Sequence, residues 1–142
     1  MEFIMDAPLE TTKETQIFSQ LANTWWDETG PFKALHQMNP VRMQFMLGHI
    51  RKHFKSSAGI RILDIGCGRG KIFGSLSRKL KLVNKPIGID PVPHKDIDKS
   101  IDFRNEDIFV FFKINKNKFD LIMIKQSLHF FNEDKRKKLI II

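Results

Sequence analysis

The chain has 142 residues, 42% of them hydrophobic and 13 of them phenylalanine, which is enough apolar side chain for one core and too little chain for two full domains. Its 24 Lys and Arg against 16 Asp and Glu give a formal charge of +8, but the basic residues are spread out and no reading motif accompanies them, so nucleic acid is an unlikely partner while peripheral contact with an anionic membrane stays open. No apolar run reaches about 18 residues, acidic residues flank Phe3-Ile4-Met5, and Cys67 is the single cysteine, which together argue against a transmembrane segment, a secretory signal, a disulfide and a cysteine-rich zinc site and point to a cytoplasmic or organelle-matrix protein.

In chain order, Ile17, Phe18, Leu21, Ala22, Trp25 and Trp26 recur at intervals of three and four and predict an amphipathic helix over 13–26, closed by Gly30-Pro31. The two tryptophans read as core residues. Asn39 as N-cap and Pro40 at the first helical position open a second helix, with Val41, Phe45, Met46, Ile50 and Phe54 as its apolar stripe. Ser56-Ser57-Ala58-Gly59 is a linker, so residues 1–55 form a helical entry region and 56–142 an α/β domain. A strand over 60–65 runs into Gly66-Cys67-Gly68-Arg69-Gly70, and Ile72, Phe73, Leu76 and Leu80 predict the helix that follows. Ile87-Gly88-Ile89 is a second strand, Phe103 lies in a third, 108–112 is a short helix or turn, 119–124 is a fourth strand and 133–138 opens a last helix. This alternation predicts a Rossmann-like parallel sheet of about four strands, partial in extent, preceded by two N-terminal helices.

The glycine loop carries the chemistry. A turn without side chains lets a ligand approach the backbone at the start of a helix. Its glycines, Gly66, Gly68 and Gly70, stand at a G-x-G-x-G spacing rather than the G-x-G-x-x-G of dinucleotide sites. Asp64, just before the loop, would repel a pyrophosphate but suits a ligand bearing an ammonium and a sulfonium, as S-adenosylmethionine does. A nicotinamide-dependent oxidoreductase is correspondingly disfavoured. Asp90, at the end of the second strand, is placed to accept hydrogen bonds from ribose hydroxyls. Asp107 is either an acceptor for the adenine amino group or a helix cap. Cys67 reads as a small packing residue.

The stretches Ile62 to Gly70, Gly88-Ile89-Asp90 and Phe119-Asp120-Leu121-Ile122 resemble the first, second and fourth motifs of class I methyltransferases. The N-terminal run Ile17-Phe18-Ser19-Gln20-Leu21-Ala22-Asn23-Thr24-Trp25-Trp26-Asp27, with Gly30-Pro31-Phe32-Lys33-Ala34-Leu35-His36 and Asn39-Pro40-Val41-Arg42, resembles the ubiquinone-biosynthesis O-methyltransferases. The resemblance implies S-adenosyl-L-methionine as cofactor and a small, aromatic hydroxyl compound as acceptor. It also implies that Arg42 sits beside the cofactor carboxylate and that Lys125 lies near the adenosine through its backbone.

Where that family carries two glutamates and a histidine associated with a divalent metal, this chain has Gln126, His129 and Phe130. A hard cation prefers oxygen ligands, so no metal is expected. His129 is the candidate base for the acceptor hydroxyl, with a packed helix residue as its plainer reading. Members of the class have seven strands against about four here. The alternative is therefore a truncated or degenerate relative that binds or docks without activity, with an exposed sheet edge that recruits other copies.

Overall fold

A computed structural model describes residues 24–124 and 131–141. The chain divides into two compact units, Met1–Arg42 and Met43–Ile142. In the first, α1 (Lys33–Gln37) follows a turn in which Trp25 and Phe32 stack with centroids 4.5 Å apart and His36 Nε2 lies 2.7 Å from the Trp25 carbonyl oxygen. The helix expected over 13–26 falls mostly outside the described residues; its last part, 24–26, is a turn.

The next helix, α2 (Asn39–His53), begins in the first unit and continues into the second. Its inward stripe is Met43, Met46 and Ile50, buried, with Leu47 and Phe54 packed beside them. Val41 and Phe45, expected in that stripe, are 67% and 66% exposed. They stand two residues from Met43, about 200° round a helix of 3.6 residues per turn, so they project away from the core that Met43 enters. The alternative spacing Val41, Phe45 looked equally periodic, and only the position of the sheet distinguishes the two faces.

The second unit continues with β1 (Ile62–Ile65), α3 (Lys71–Leu80), β2 (Ile87–Ile89), β3 (Asp102–Arg104), α4 (Ile108–Ile114), β4 (Leu121–Ile124) and α5 (Glu133–Ile141). The four strands form one parallel sheet in the order β3-β2-β1-β4. Successive side chains of β1 point to opposite faces, and each face has its own core. Ile62 packs with Met43, Met46, Ile50, Phe73, Leu76 and Leu80, whereas Leu63 and Ile65 pack with Ile89, Ile108, Phe111 and Leu139. All four β1 residues are buried, as in a central strand covered on both sides. The described edges differ. On β3 the Asp102–Arg104 pair, 2.9 Å apart, keeps charge at the rim, while β4 offers Ile122 at 41% exposure. No helix among the described residues is long and apolar enough to cross a membrane.

The segment joining β2 to β3 is fastened to α3. The buried Asp98 carboxylate takes Arg78 Nη1 and Nη2 at 2.8 and 3.1 Å and the Ser100 N–H at 2.9 Å, and its own N–H donates to the Arg69 carbonyl. Gly74 permits this, because a Cβ there would enter the carboxylate. The hydrogen bonds from Arg78 come first in holding the Asp98 carboxyl below the usual carboxylate range; burial opposes the shift, and the Ser100 N–H and the charges of Arg78 and Lys71 add to it. A carboxyl depressed in the folded state contributes stability that is present above its unfolded value, near pH 4, and is lost as the pH falls through the folded value. Arg78→Met is therefore expected to lower stability most at neutral pH, by a modest amount because Arg78 itself is half exposed, with the loss fading in acid and the acid-unfolding midpoint, followed by circular dichroism, moved to higher pH.

Candidate functional site

The chain builds β1, β2 and β3 outward on one side and then returns to place β4 on the other side of β1. In open parallel sheets such a reversal leaves a crevice outside the carboxyl ends of the strands it separates. Those ends are Ile65, which leads into the glycine loop, and Ile124.

Gly66, Gly68 and Gly70 all adopt positive φ, at 75°, 57° and 69°. These are left-handed conformations that cost a residue with a Cβ about 1–2 kcal/mol. The loop is tied to the end of β2 by three amides. Gly66 N–H and Cys67 N–H donate to the Ile89 carbonyl at 2.8 and 3.2 Å, and Gly68 N–H donates to Asp90 Oδ2 at 2.9 Å. Cys67 is buried and packs over Gly88, where a Cβ would stand 2.8 Å from its sulfur. At the far end of the loop, a Cβ on Gly70 would run into Ile101, and the Gly70 carbonyl accepts from Gly74 N–H at 2.8 Å to start α3.

The acidic residues are distributed differently from one another. Asp64 stands opposite Gly88 on β2 and Met123 on β4 and is 1% exposed, so it underlies the loop rather than projecting from it. Asp90 lies at the surface end of β2 with a carboxylate held at three points. Oδ2 takes the Gly68 N–H and stands 3.3 Å from His94 Nε2, and Oδ1 takes the Val92 N–H at 3.0 Å. Its backbone is fixed as well, since Asp90 N–H donates to Arg104 O at 3.1 Å and Asn105 Nδ2 donates to Asp90 O at 2.9 Å. Asp107 caps α4, with Oδ1 accepting from Phe109 N–H and Val110 N–H at 2.8 and 3.3 Å. That is the structural one of its two readings.

Arg42 ends the first unit and keeps its guanidinium on its own helix, 3.5 Å from Asn39 Oδ1. Lys125 and His129 lie outside the described residues, as do Gln126 and Phe130. Among the described residues no group of three or more His, Cys, Asp or Glu could hold a metal ion. A cavity of about 480 Å³ lined by Val83, Lys85, Ile87, Asp102 and Phe103 opens at the opposite ends of β2 and β3, away from the loop.

His94 and Asn105 were not legible as site residues. The one available signal for His94 was its place four residues after Asp90, in Asp90-Pro91-Val92-Pro93-His94, a spacing that in an unfolded reading belongs to any loop.

Comparison with known proteins gives a consistent result. A family model described as a methyltransferase domain matches residues 63–140, more than half of the chain. The ubiquinone biosynthesis O-methyltransferase of Hydrogenovibrio crunogenus is 49% identical over 65 residues, covering 46% of this chain and 25% of its own length. The mitochondrial enzyme of the same name from Rattus norvegicus is 37% identical over 107 residues, covering 66% of this chain and 30% of its own length. This chain thus spans 25% to 30% of the length of these relatives. Among solved structures, the plantazolicin methyltransferase BpumL, in complex with a monoazolic desmethylPZN analog and SAH, superposes with a TM-score of 0.54 at 22% identity, over 89% of this chain and 47% of that one. At that identity the likeness concerns the fold.

Proposed function

This chain belongs to the methyltransferase-domain family, and from that premise we propose that it binds S-adenosylmethionine at the glycine loop and serves methyl transfer to a small aromatic hydroxyl compound. One observation carries the reading: the loop leaves β1 at the reversal point of the sheet and is bonded through Gly68 to the Asp90 carboxylate at the end of β2. Two carboxylates, Asp64 in the strand that feeds the loop and Asp90 at the end of the neighbouring strand, stand beside this place. That charge balance suits a ligand with an ammonium and a sulfonium.

In the proposed reaction the bound cofactor supplies a methyl group on a positively charged sulfur. Its chemistry would be in-line methyl transfer to the acceptor oxygen with the electron pair of the broken bond left on sulfur, while His129 would take the hydroxyl proton. The chain's own residues orient the partners and hold the cofactor. Asp90 accepts from the ribose, Gly66, Gly68 and Gly70 allow backbone contact with the amino-acid portion, and Asp64 underlies the loop as part of the same site. Arg42 is proposed to meet the cofactor carboxylate, Lys125 to contribute a backbone contact near the adenosine, Asp107 to combine its cap with an adenine contact, and His129 to take the acceptor proton. The ubiquinone-precursor class of acceptor rests on the names of the relatives and on the N-terminal Asn39-Pro40-Val41-Arg42 context.

Titration calorimetry tests the cofactor. S-adenosylhomocysteine is expected to bind with micromolar affinity and NAD not to bind; binding of NAD alone would sink the proposal. Transfer of a labelled methyl group to a catechol acceptor then separates an enzyme from a relative that binds without reaction.

A further inference from the structure

We propose that His94 is a latch on Asp90, which the ribose of the cofactor must displace before it can bind. The inference rests on the cofactor reading above and adds a residue to it. A carboxylate offers about four lone-pair positions, two on each oxygen. On Asp90, Oδ2 receives the Gly68 N–H and has the His94 imidazole at 3.3 Å, and Oδ1 receives the Val92 N–H. The free approach is therefore to Oδ1. A vicinal diol that engages both oxygens needs one approach to each, and a hydroxyl must come to about 2.7–2.8 Å of its acceptor. The imidazole stands in that path on the Oδ2 side, whichever of its nitrogens carries the proton.

The latch is built into the loop rather than resting on it by chance. Pro91 and Pro93 each fix φ near −65°, and the Val92 N–H bond to Asp90 turns the chain back on itself, which returns His94 to the carboxylate. The ring also has a seat of its own, edge-on to Phe103 of β3 with centroids 6.2 Å apart at 78°. His94 and Asp90 side chains retain only 16% and 13% exposure, respectively, so water does little of the competing. A site that must open before binding shows an affinity lowered by the fraction of open molecules. Gly68 does not stand in the way in the same manner, because its amide is part of the loop the cofactor rests on.

The test uses the full chain and two probes, S-adenosylhomocysteine and its 2′,3′-dideoxyribose analogue, with wild type and His94→Ala measured by calorimetry. His94→Ala is expected to bind S-adenosylhomocysteine about threefold to tenfold more tightly, as for an open state populated at roughly 10–30%, and the dideoxy analogue no more tightly than wild type does. In wild type, the His94 ring resonances are expected to move on addition of S-adenosylhomocysteine and to stay in place with the analogue, a readout that needs no variant. Unchanged or weaker binding of S-adenosylhomocysteine to His94→Ala, or equal gains for both probes, would overturn the latch while leaving the cofactor reading intact. Failure of wild type and variant alike to bind S-adenosylhomocysteine would instead overturn the cofactor reading and the latch with it.

Discussion

Asp90→Ala is expected to weaken S-adenosylhomocysteine binding by about a hundredfold or more. Hydrogen bonds to a charged group are each worth about 1.5–3 kcal/mol, so two bonds to ribose hydroxyls amount to about 3–6 kcal/mol, and every 1.4 kcal/mol is a factor of ten. The same carboxylate holds the loop through the Gly68 and Val92 amides, and removing it leaves two N–H groups to find water. The variant is accordingly expected to lose some thermal stability as well. Binding and folding are separated by the shift in melting temperature at a ligand concentration that saturates wild type but lies below the weakened dissociation constant expected for the variant, since a ligand stabilises only what it binds. Wild type should show that shift and Asp90→Ala should not. A variant that melts lower but keeps a wild-type ligand shift would mean that Asp90 supports the loop and does not touch the cofactor.

The second large effect is on folding. Gly70→Ala adds one methyl group in a left-handed backbone and directs it at the Ile101 side chain. The conformation costs about 1–2 kcal/mol and the overpacking about 1–3 kcal/mol. The sum, about 2–5 kcal/mol, is a large share of the total stability of a small domain, typically about 5–15 kcal/mol. At about 4–8 °C for each kcal/mol in a unit of this size, the melting temperature should fall by roughly ten degrees or more. Gly48→Ala is the control. Gly48 sits within α2 with nothing within 4 Å of an added Cβ, and there the same substitution should stabilise by about 0.5–1 kcal/mol by reducing the freedom of the unfolded chain. Opposite signs from one chemical change would show that the strain at Gly70, and not the loss of glycine as such, governs the result.

Much of the α/β order was legible in local sequence. Ile87-Gly88-Ile89 is a strand of the expected extent, because a short apolar run between turn signals admits few other readings. The helix after the loop also begins where expected, at Lys71, since a sequence with glycines at 66, 68 and 70 cannot continue a strand and the apolar spacing beyond it is helical. The loop itself was recognisable from the spacing of its glycines after a strand. What could not be read was which side of each element faces inward. Met43 and Val41 are both apolar and both periodic with their neighbours, yet one is buried and the other is 67% exposed. The choice depends on the sheet against which the helix lies.

The acidic residues divide along the same line. Their residue type and their order along the chain are properties of the sequence. Their surroundings are not. Asp64 became the buried neighbour of Gly88 and Met123, Asp98 a clamp across Gly74, Asp107 a helix cap, and Asp90 the meeting point of Gly68, Val92 and His94. Sequence by itself determined the succession of strands and helices, the glycine loop and the charge of the site, because those follow from local periodicity, backbone freedom and residue chemistry. The tertiary structure alone decided the strand order, the reversal beside β1 and the partners of each carboxylate, because these contacts join residues far apart in the chain and no local pattern encodes which distant amide or imidazole will arrive.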